Sequence, residues 1–122
     1  MQTTKQISGA KGEELAVSYL RKQGYKIIDR NFRSRVGEID IIAIDKDTLV
    51  FIEVKARSSN EFGSPLDAIT YWKMNSLIKT AQYYKLKNPR LPEAMRIDAV
   101  AITLDHFNDL KTIELVKNIS VC

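Results

Sequence analysis

The sequence predicts a mixed α/β fold built as one domain. Stretches with helical periodicity alternate with stretches rich in β-branched residues, in the order α-β-β-β-α-β, followed by a weaker last strand. The strand, helix, strand passage in the middle predicts a parallel crossover. Two strands joined by a very short polar link predict an antiparallel hairpin beside it. Because no linker or repeat divides the 122 residues, we expect a single domain over residues 1–122, with about residues 1–8 flexible.

The first predicted helix covers residues 10–23, where apolar side chains recur at helical spacing. Gly24 follows at the position where a helix C-terminal glycine is favoured. A short strand over residues 25–28 then leads into a basic loop over residues 31–35. The chain therefore reaches the sheet directly after one helix.

The two strongest strands are residues 37–45, which read GEIDIIAID, and residues 48–56, which read TLVFIEVKA. Both are rich in β-branched side chains. Only Lys46 and Asp47 lie between them, and a two-residue link of this kind favours a hairpin.

A long second helix is predicted over residues 65–87. Ser64 is suited to the N-cap, Pro65 to the first helical position and Asp67 to the first turn. Six residues are expected on its buried face: Ala68, Ile69, Trp72, Leu77, Ala81 and Tyr84. Residues 96–104 and 111–116 are predicted as the last two strands.

Composition excludes several classes of protein. Hydrophobic residues make up 44% and charged residues 28%, a globular balance. No apolar run approaches the roughly 20 residues that span a bilayer, and the first residues lack the apolar stretch of a secretory signal. We therefore expect a cytoplasmic protein without membrane contact. The net charge of +4 suits a polyanionic partner such as nucleic acid but decides nothing alone.

The chain has one cysteine, Cys122, and one histidine, His106. Neither a disulfide framework nor a cysteine or histidine metal cluster can be built from them. Carboxylate oxygens would have to hold any bound metal, and such ligands favour Mg²⁺ or Mn²⁺ over zinc.

Charged residues interrupt a strand that is apolar on both faces. Side chains alternate along a strand, so Glu53 and Lys55 continue the face of Leu49 and Phe51. An unpaired buried charge costs several kcal/mol, so it is rarely kept without a use. A solvated Glu53–Lys55 surface pair is the alternative. The neighbouring strand makes that alternative weaker.

In that neighbouring strand, one face is formed by Ile39, Ile41 and Ala43, and Asp40 interrupts the other face. Pairing of the two strands would place Asp40 beside Glu53. Two close carboxylates repel each other, and a divalent cation relieves this repulsion.

These residues predict a metal-assisted phosphodiester hydrolase. A metal held by Asp40 and Glu53, with the Val54 carbonyl, would polarise a phosphate and lower the pKa of a bound water. Lys55 would stabilise the negative charge that develops on the phosphate, or position the water.

The segments GEIDIIA and LVFIEVKAR together resemble the PD-(D/E)xK nuclease signature, here Asp40 followed by Glu53-Val54-Lys55. The chain is similar over residues 9–104 to the YraN family of UPF0102-type bacterial proteins, which resemble archaeal Holliday-junction resolvases. GAKGEELA, FIEVKARS and RID carry the rest of this similarity. The resemblance implies a restriction-endonuclease-like mixed sheet flanked by helices, and a DNA endonuclease acting on branched or flapped structures.

The resemblance also implies further site residues. An acid on the first helix should reach the metal, and Glu13 fits best, with Glu14 as the alternative. Lys73 on the second helix corresponds to a position that faces the site. Residue 39, where the motif name has proline, is isoleucine, a position that varies among such nucleases.

Five residues are candidates for nucleic-acid contacts: Arg33, Arg35, Arg57, Ser58 and Lys73. Residues 60–63 would form a substrate-facing loop. Trp72, Tyr83 and Tyr84 are expected in the core or an interface rather than as base-stacking platforms.

Other functions compete with the nuclease. A non-catalytic nucleic-acid-binding module and an adaptor in DNA maintenance are the alternatives. RNA remains open as a substrate. A homodimer would suit a two-fold symmetric junction.

Overall fold

A computed structural model describes residues 4–59 and 63–120, with side chains from residue 10 onward. Its elements follow in this order: α1 (Thr4–Lys22), β1 (Lys26–Arg33), β2 (Glu38–Asp45), β3 (Thr48–Ser58), a 3₁₀ turn (Pro65–Ala68), α2 (Tyr71–Lys87), β4 (Ala94–Leu104) and β5 (Leu110–Val116). The predicted α/β class and element order are confirmed. Of the segment predicted to be flexible, residues 1–3 lie outside the described residues and residues 4–8 belong to α1. Neither helix, over the described residues, has the length and apolarity to cross a membrane.

The five strands form one sheet in the order β1-β2-β3-β4-β5. Only β3 and β4 run parallel, and the other three neighbouring pairs are antiparallel. Asp45 pairs with Thr48 across the two-residue link, where Lys46 adopts a φ of 56°. The hairpin and the parallel crossover through α2 are both as predicted.

One helix covers each face of the sheet. On one side, α1 buries Ala16 and Leu20 against Ile41, Ile52 and other apolar side chains of the middle strands. On the other side, α2 packs its buried side chains against three strands: Leu77, Ala81 and Tyr84 face Ile42, Leu49, Phe51 and Ile97. The middle strand β3 is thus covered on both faces, which explains why its sequence is apolar at both parities.

The first strand is longer than predicted. It continues from Lys26 to Arg33, with a register shift between Ile27 and Asp29, so residues 31–33 of the predicted basic loop belong to β1. Phe32 packs edge-on against Tyr84 at a centroid distance of 4.9 Å. Pairing with β2 and this aromatic contact extend the strand through polar sequence, effects that local propensity does not report.

The prediction of a single helix over residues 65–87 is wrong, because the helical conformation is interrupted at Ile69 and Thr70. The Ser64 cap is present, with Asp67 completing the capping box, but it begins only a 3₁₀ turn. Ile69 and Thr70 are extended, and Thr70 caps α2 by accepting a 3.1 Å hydrogen bond from the Lys73 N–H. Two consecutive β-branched residues favour such an extended break.

The break also corrects the predicted buried face. Leu77, Ala81 and Tyr84 are buried as predicted, but Ala68 is exposed and Trp72 is 79% exposed. At 100° per residue, Trp72 lies about 140° around the helix from Leu77, on the solvent side.

Candidate functional site

The carboxylate of Asp40 replaces a backbone acceptor at the end of the β2–β3 ladder. The regular pairing of the two strands ends at Ile41 and Ile52. Beyond it, the Val54 N–H donates a 2.8 Å hydrogen bond to Asp40 Oδ2. The aspartate is therefore held beside β3 by the strand itself, close to Glu53.

The same irregularity corrects the predicted faces of β2. Ile41 and Ala43 face α1, but Ile39 packs with Leu77 on the α2 side instead of sharing their face. Strict alternation holds only while a strand is regularly paired. Here the alternation shifts at Asp40, where the β2–β3 ladder has ended while β2 stays paired with β1.

Glu53 is a buried carboxylate, only 4% exposed, on the α2 side of β3. Its Oε2 accepts no hydrogen bond from any described residue. Burial, and next the neighbouring charge of Asp40, raise the pKa of Glu53 to about 7, while Lys73 and Lys55 act in the opposite direction. The site thus holds an acid that is only partly ionised near neutral pH.

Two ammonium groups approach Glu53 from different elements. Lys55 Nζ lies 3.8 Å from Oε1, along the same strand, and Lys73 Nζ lies 3.6 Å from Oε2. Both distances exceed those of hydrogen bonds, so the attraction is electrostatic. Lys73 thus faces Glu53 from α2.

A close contact fixes α2 against the start of β2. A Cβ added at Gly37 would lie 2.3 Å from Ser76 Oγ and 2.7 Å from Thr80 Oγ1. Ser76 Oγ also donates a 3.2 Å hydrogen bond to the Val36 carbonyl. This contact sets the distance between the helix that carries Lys73 and the strand that carries the aspartate.

Glu13 is engaged by the edge strand. Its Oε1 accepts hydrogen bonds from Arg30 Nε at 3.1 Å and Asn31 Nδ2 at 3.0 Å. Glu14 is more exposed and accepts from Arg30 Nη2 at 2.6 Å. Over the described parts of the chain, no group of three or more Asp, Glu, His or Cys side chains converges on one point. Glu13 is thus not brought together with Asp40 and Glu53 as a three-acid set.

The donors that do converge have the chemistry of a hard-cation site. The carboxylates of Asp40 and Glu53, with the Val54 carbonyl, could supply oxygen ligands. The Oε2 atom of Glu53 accepts no hydrogen bond from a described residue, so its lone pairs are available to a cation. The residues present therefore fit Mg²⁺ or Mn²⁺ through two acids.

The predicted nucleic-acid contacts are placed differently from one another. Arg33 is exposed and lies 3.6 Å from Glu38 on the neighbouring strand. Arg35 is exposed in the turn that precedes β2. Arg57 donates a 3.2 Å hydrogen bond from its guanidinium to the Gly63 carbonyl.

Ser58 pairs with Leu104 at the end of β3 and is half-buried. Of the predicted substrate-facing loop, residues 60–62 lie outside the described residues. Arg33 thus lies at the end of β1, Arg35 in the turn before β2, and Arg57 and Ser58 at the end of β3.

A buried polar network lies on the α1 side of the sheet. Asp98 is fully buried and accepts from Arg96 Nε and from the Tyr25 hydroxyl, both at 2.8 Å. Arg96 Nη2 also donates to Asp45 Oδ2 at 2.8 Å. The pairing of Arg96 with Asp98 follows from strand parity, whereas Tyr25 and Asp45 come from distant segments that no local pattern joins to it.

The family model described as "Uncharacterised protein family UPF0102" matches residues 12–102, a range that contains Asp40, Glu53, Lys55 and Lys73. The chain belongs to the UPF0102 family. The predicted family membership is confirmed, and this UPF0102 chain carries its candidate site inside the matched range.

Several relatives named UPF0102 protein are similar over most of their length. One from Persephonella marina is 45% identical, covering 86% of this chain and 90% of the relative. One from Clostridium botulinum is 46% identical, covering 90% of each. One from Alkaliphilus oremlandii is 50% identical, covering 79% and 84% respectively.

Proposed function

We propose that this UPF0102 protein is a metal-dependent endonuclease of the PD-(D/E)xK type that hydrolyses phosphodiester bonds in DNA, including branched or flapped DNA. The buried Glu53 carboxylate carries the proposal. Its Oε2 has no hydrogen-bond donor among the described residues, and Asp40 adds like charge beside it. Such an arrangement destabilises a fold unless a ligand uses it.

Asp40 and Glu53, with the Val54 carbonyl, are the groups that would hold Mg²⁺ or Mn²⁺. When bound, such an ion polarises the phosphate and lowers the pKa of a water molecule. The protein itself holds the two carboxylates in position. The Val54 N–H orients Asp40, and burial orients Glu53.

The lysines supply positive charge where a phosphate would lie. Lys55 and Lys73 reach Glu53 from a strand and a helix, so a phosphate bound over the acids meets an ammonium group on either side. Fixed positive charges of this kind stabilise the negative charge that develops on the phosphate oxygens in the pentacoordinate transition state.

The test is a cleavage assay with labelled single-stranded, duplex, flapped and four-way-junction DNA, in Mg²⁺, Mn²⁺ or EDTA. Glu53→Gln and Lys55→Met are compared with Lys79→Met, an exposed lysine on α2 that serves as the matched control. We expect metal-dependent cutting that is abolished in the first two variants and retained in the control. Cutting that persists in Glu53→Gln, or that ignores EDTA, would refute the proposal.

A binding module without catalysis is the second candidate, and the position of Glu13 favours it. Arg30 and Asn31 donate hydrogen bonds to this acid, and no group of three acids converges among the described residues. A binding module would bind DNA with strong salt dependence and cut none of the substrates.

The remaining parts of the proposal follow from the substrate. A DNA-cutting enzyme of this kind would work in the cytoplasm, and a homodimer would match the two-fold symmetry of a four-way junction. Sedimentation equilibrium with and without junction DNA tests the dimer, since a monomer in both conditions contradicts it.

A further inference from the structure

The first turn of α2 presents two aromatic rings to solvent. Trp72 is 79% exposed and Tyr71 is 73% exposed. The rings pack edge-to-face at a centroid distance of 5.5 Å and an interplanar angle of 75°. Two large rings exposed side by side form an apolar surface that a ligand could cover.

The aromatic pair adjoins the candidate site. Lys73 follows Trp72 directly and places its ammonium group 3.6 Å from Glu53 Oε2. The Thr70 cap fixes this turn by accepting a hydrogen bond from the Lys73 N–H. The two rings are therefore on the helix turn that also carries the ammonium group facing Glu53.

The charge of α2 indicates which class of ligand would bind at the aromatic pair. The helix has four lysines and no aspartate or glutamate. Lys85 is engaged by the Pro89 and Leu91 carbonyls and by Glu93, whereas Lys79 and Lys87 are exposed and Lys73 lies beside Glu53. The remaining positive charge attracts a polyanion. Aromatic rings beside positive charge are the recurring platform for single-stranded nucleic acid, because every unpaired base offers a face for stacking. Paired bases inside a duplex do not.

We propose that Tyr71 and Trp72 form a stacking platform for unpaired bases of DNA next to the cleavage site, with Trp72 as the main contact. The inference rests on the proposed function and narrows its substrate to DNA with a single-stranded portion. It explains why an aromatic pair is exposed on the helix turn that also carries Lys73.

Trp72 is the only tryptophan in the chain, so intrinsic fluorescence reports on this residue alone. The protein is titrated in EDTA with an oligodeoxythymidylate strand and, separately, with a duplex of equal length. Binding is followed in parallel by the anisotropy of labelled DNA. We expect the single strand to quench the fluorescence and the duplex to leave it nearly unchanged.

Variants test the energetic contribution. Trp72→Ala should weaken single-strand binding about 10-fold, while Trp72→Phe, which keeps a ring, should retain most of it. Leu86→Ala is the matched control, since Leu86 is equally exposed on the same helix, and it should bind as the wild type does. Equal affinities of wild type and Trp72→Ala, or saturation without quenching, overturn the platform. So does a fluorescence change with protein concentration alone, which would indicate packing against a second copy.

The two proposals fail separately. Glu53-dependent cleavage with no response from Trp72 would leave the nuclease and remove the platform. Quenching and weakened binding in Trp72→Ala, with no cleavage of any substrate, would leave the platform on a protein that binds DNA and does not cut it.

Discussion

Lys73 on α2 and Glu53 on β3 face each other across 3.6 Å without a hydrogen bond between them. The helix therefore places positive charge beside a carboxylate oxygen that accepts no hydrogen bond from any described residue. Because Lys73 is placed by the Thr70 cap and the Gly37–Ser76 contact, the electrostatics of the site depend on how α2 docks.

Removing this charge should change the titration of Glu53. Lys73→Met is expected to raise the pKa of Glu53 above its value of about 7, because the attraction to Lys73 favours the ionised form. Carbon-detected NMR of the side-chain carboxyl measures the shift. Lys79→Met, on the same helix, should leave the titration unchanged. A Glu53 pKa that stays constant in Lys73→Met contradicts the interaction.

Glu53 also makes folding stability depend on pH in metal-free buffer. Its folded-state pKa, about 7, lies above the ordinary value of 4.5. The folded protein thus keeps a proton that the unfolded chain loses, and the stabilisation present below pH 4.5 is lost as pH rises through 7. The loss should approach about 3 kcal/mol.

Glu53→Gln removes this dependence. Urea denaturation of both proteins in EDTA from pH 4 to pH 8 should show the variant gaining stability relative to wild type as pH rises. Parallel curves over this range would mean that Glu53 titrates alike in the folded and unfolded states.

Gly37 should tolerate no side chain. In Gly37→Ala the new Cβ would lie 2.3 Å from Ser76 Oγ, and we expect a loss of about 1–3 kcal/mol in the free energy of unfolding. Ser76→Ala combined with Gly37→Ala should restore part of it, since one of the two clashing oxygens is gone. Strictly additive effects in this double-mutant cycle would show that the two positions do not interact.

The buried network on the α1 side should be sensitive to loss of its cation. Arg96→Met would leave Asp98, which is fully buried, and Asp45 without their shared guanidinium. Removing one partner of a buried pair typically costs about 3–5 kcal/mol. Arg90 is an exposed arginine in the α2–β4 connection. Arg90→Met should lower the free energy of unfolding by only a few tenths of the loss expected for Arg96→Met. Equal midpoints for both variants in urea would contradict the network's importance.

Much of the fold follows from patterns within single segments. Parity along β3 places Glu53 on an apolar face, and the two-residue link fixes the hairpin that brings Asp40 beside it. Both effects depend on neighbours in sequence, so they can be predicted without the structure. The position of Lys73 was accessible only through family resemblance, because nothing local indicates which lysine of a helix turns inward.

The features that escaped prediction depend on contacts between distant segments. One exception is local: two consecutive β-branched residues, Ile69 and Thr70, break the helix, and Trp72 is consequently exposed. Arg30, which is 17 positions away in the sequence, donates a hydrogen bond to Glu13. The irregularity of β2 at Asp40 lies just beyond the end of its pairing with β3. Propensity and periodicity carry no information about such partners.

Asp40 accepts a hydrogen bond from the Val54 N–H, and this structural role does not depend on any reaction. The Oε2 atom of Glu53 accepts no hydrogen bond from a described residue, and an apolar side chain would cost less to bury. In a lineage that had lost the chemistry, drift would keep aspartate at position 40 and erode glutamate at position 53. On the proposed function, we therefore expect relatives that lack the activity to have lost the acid at position 53 while keeping the aspartate at position 40.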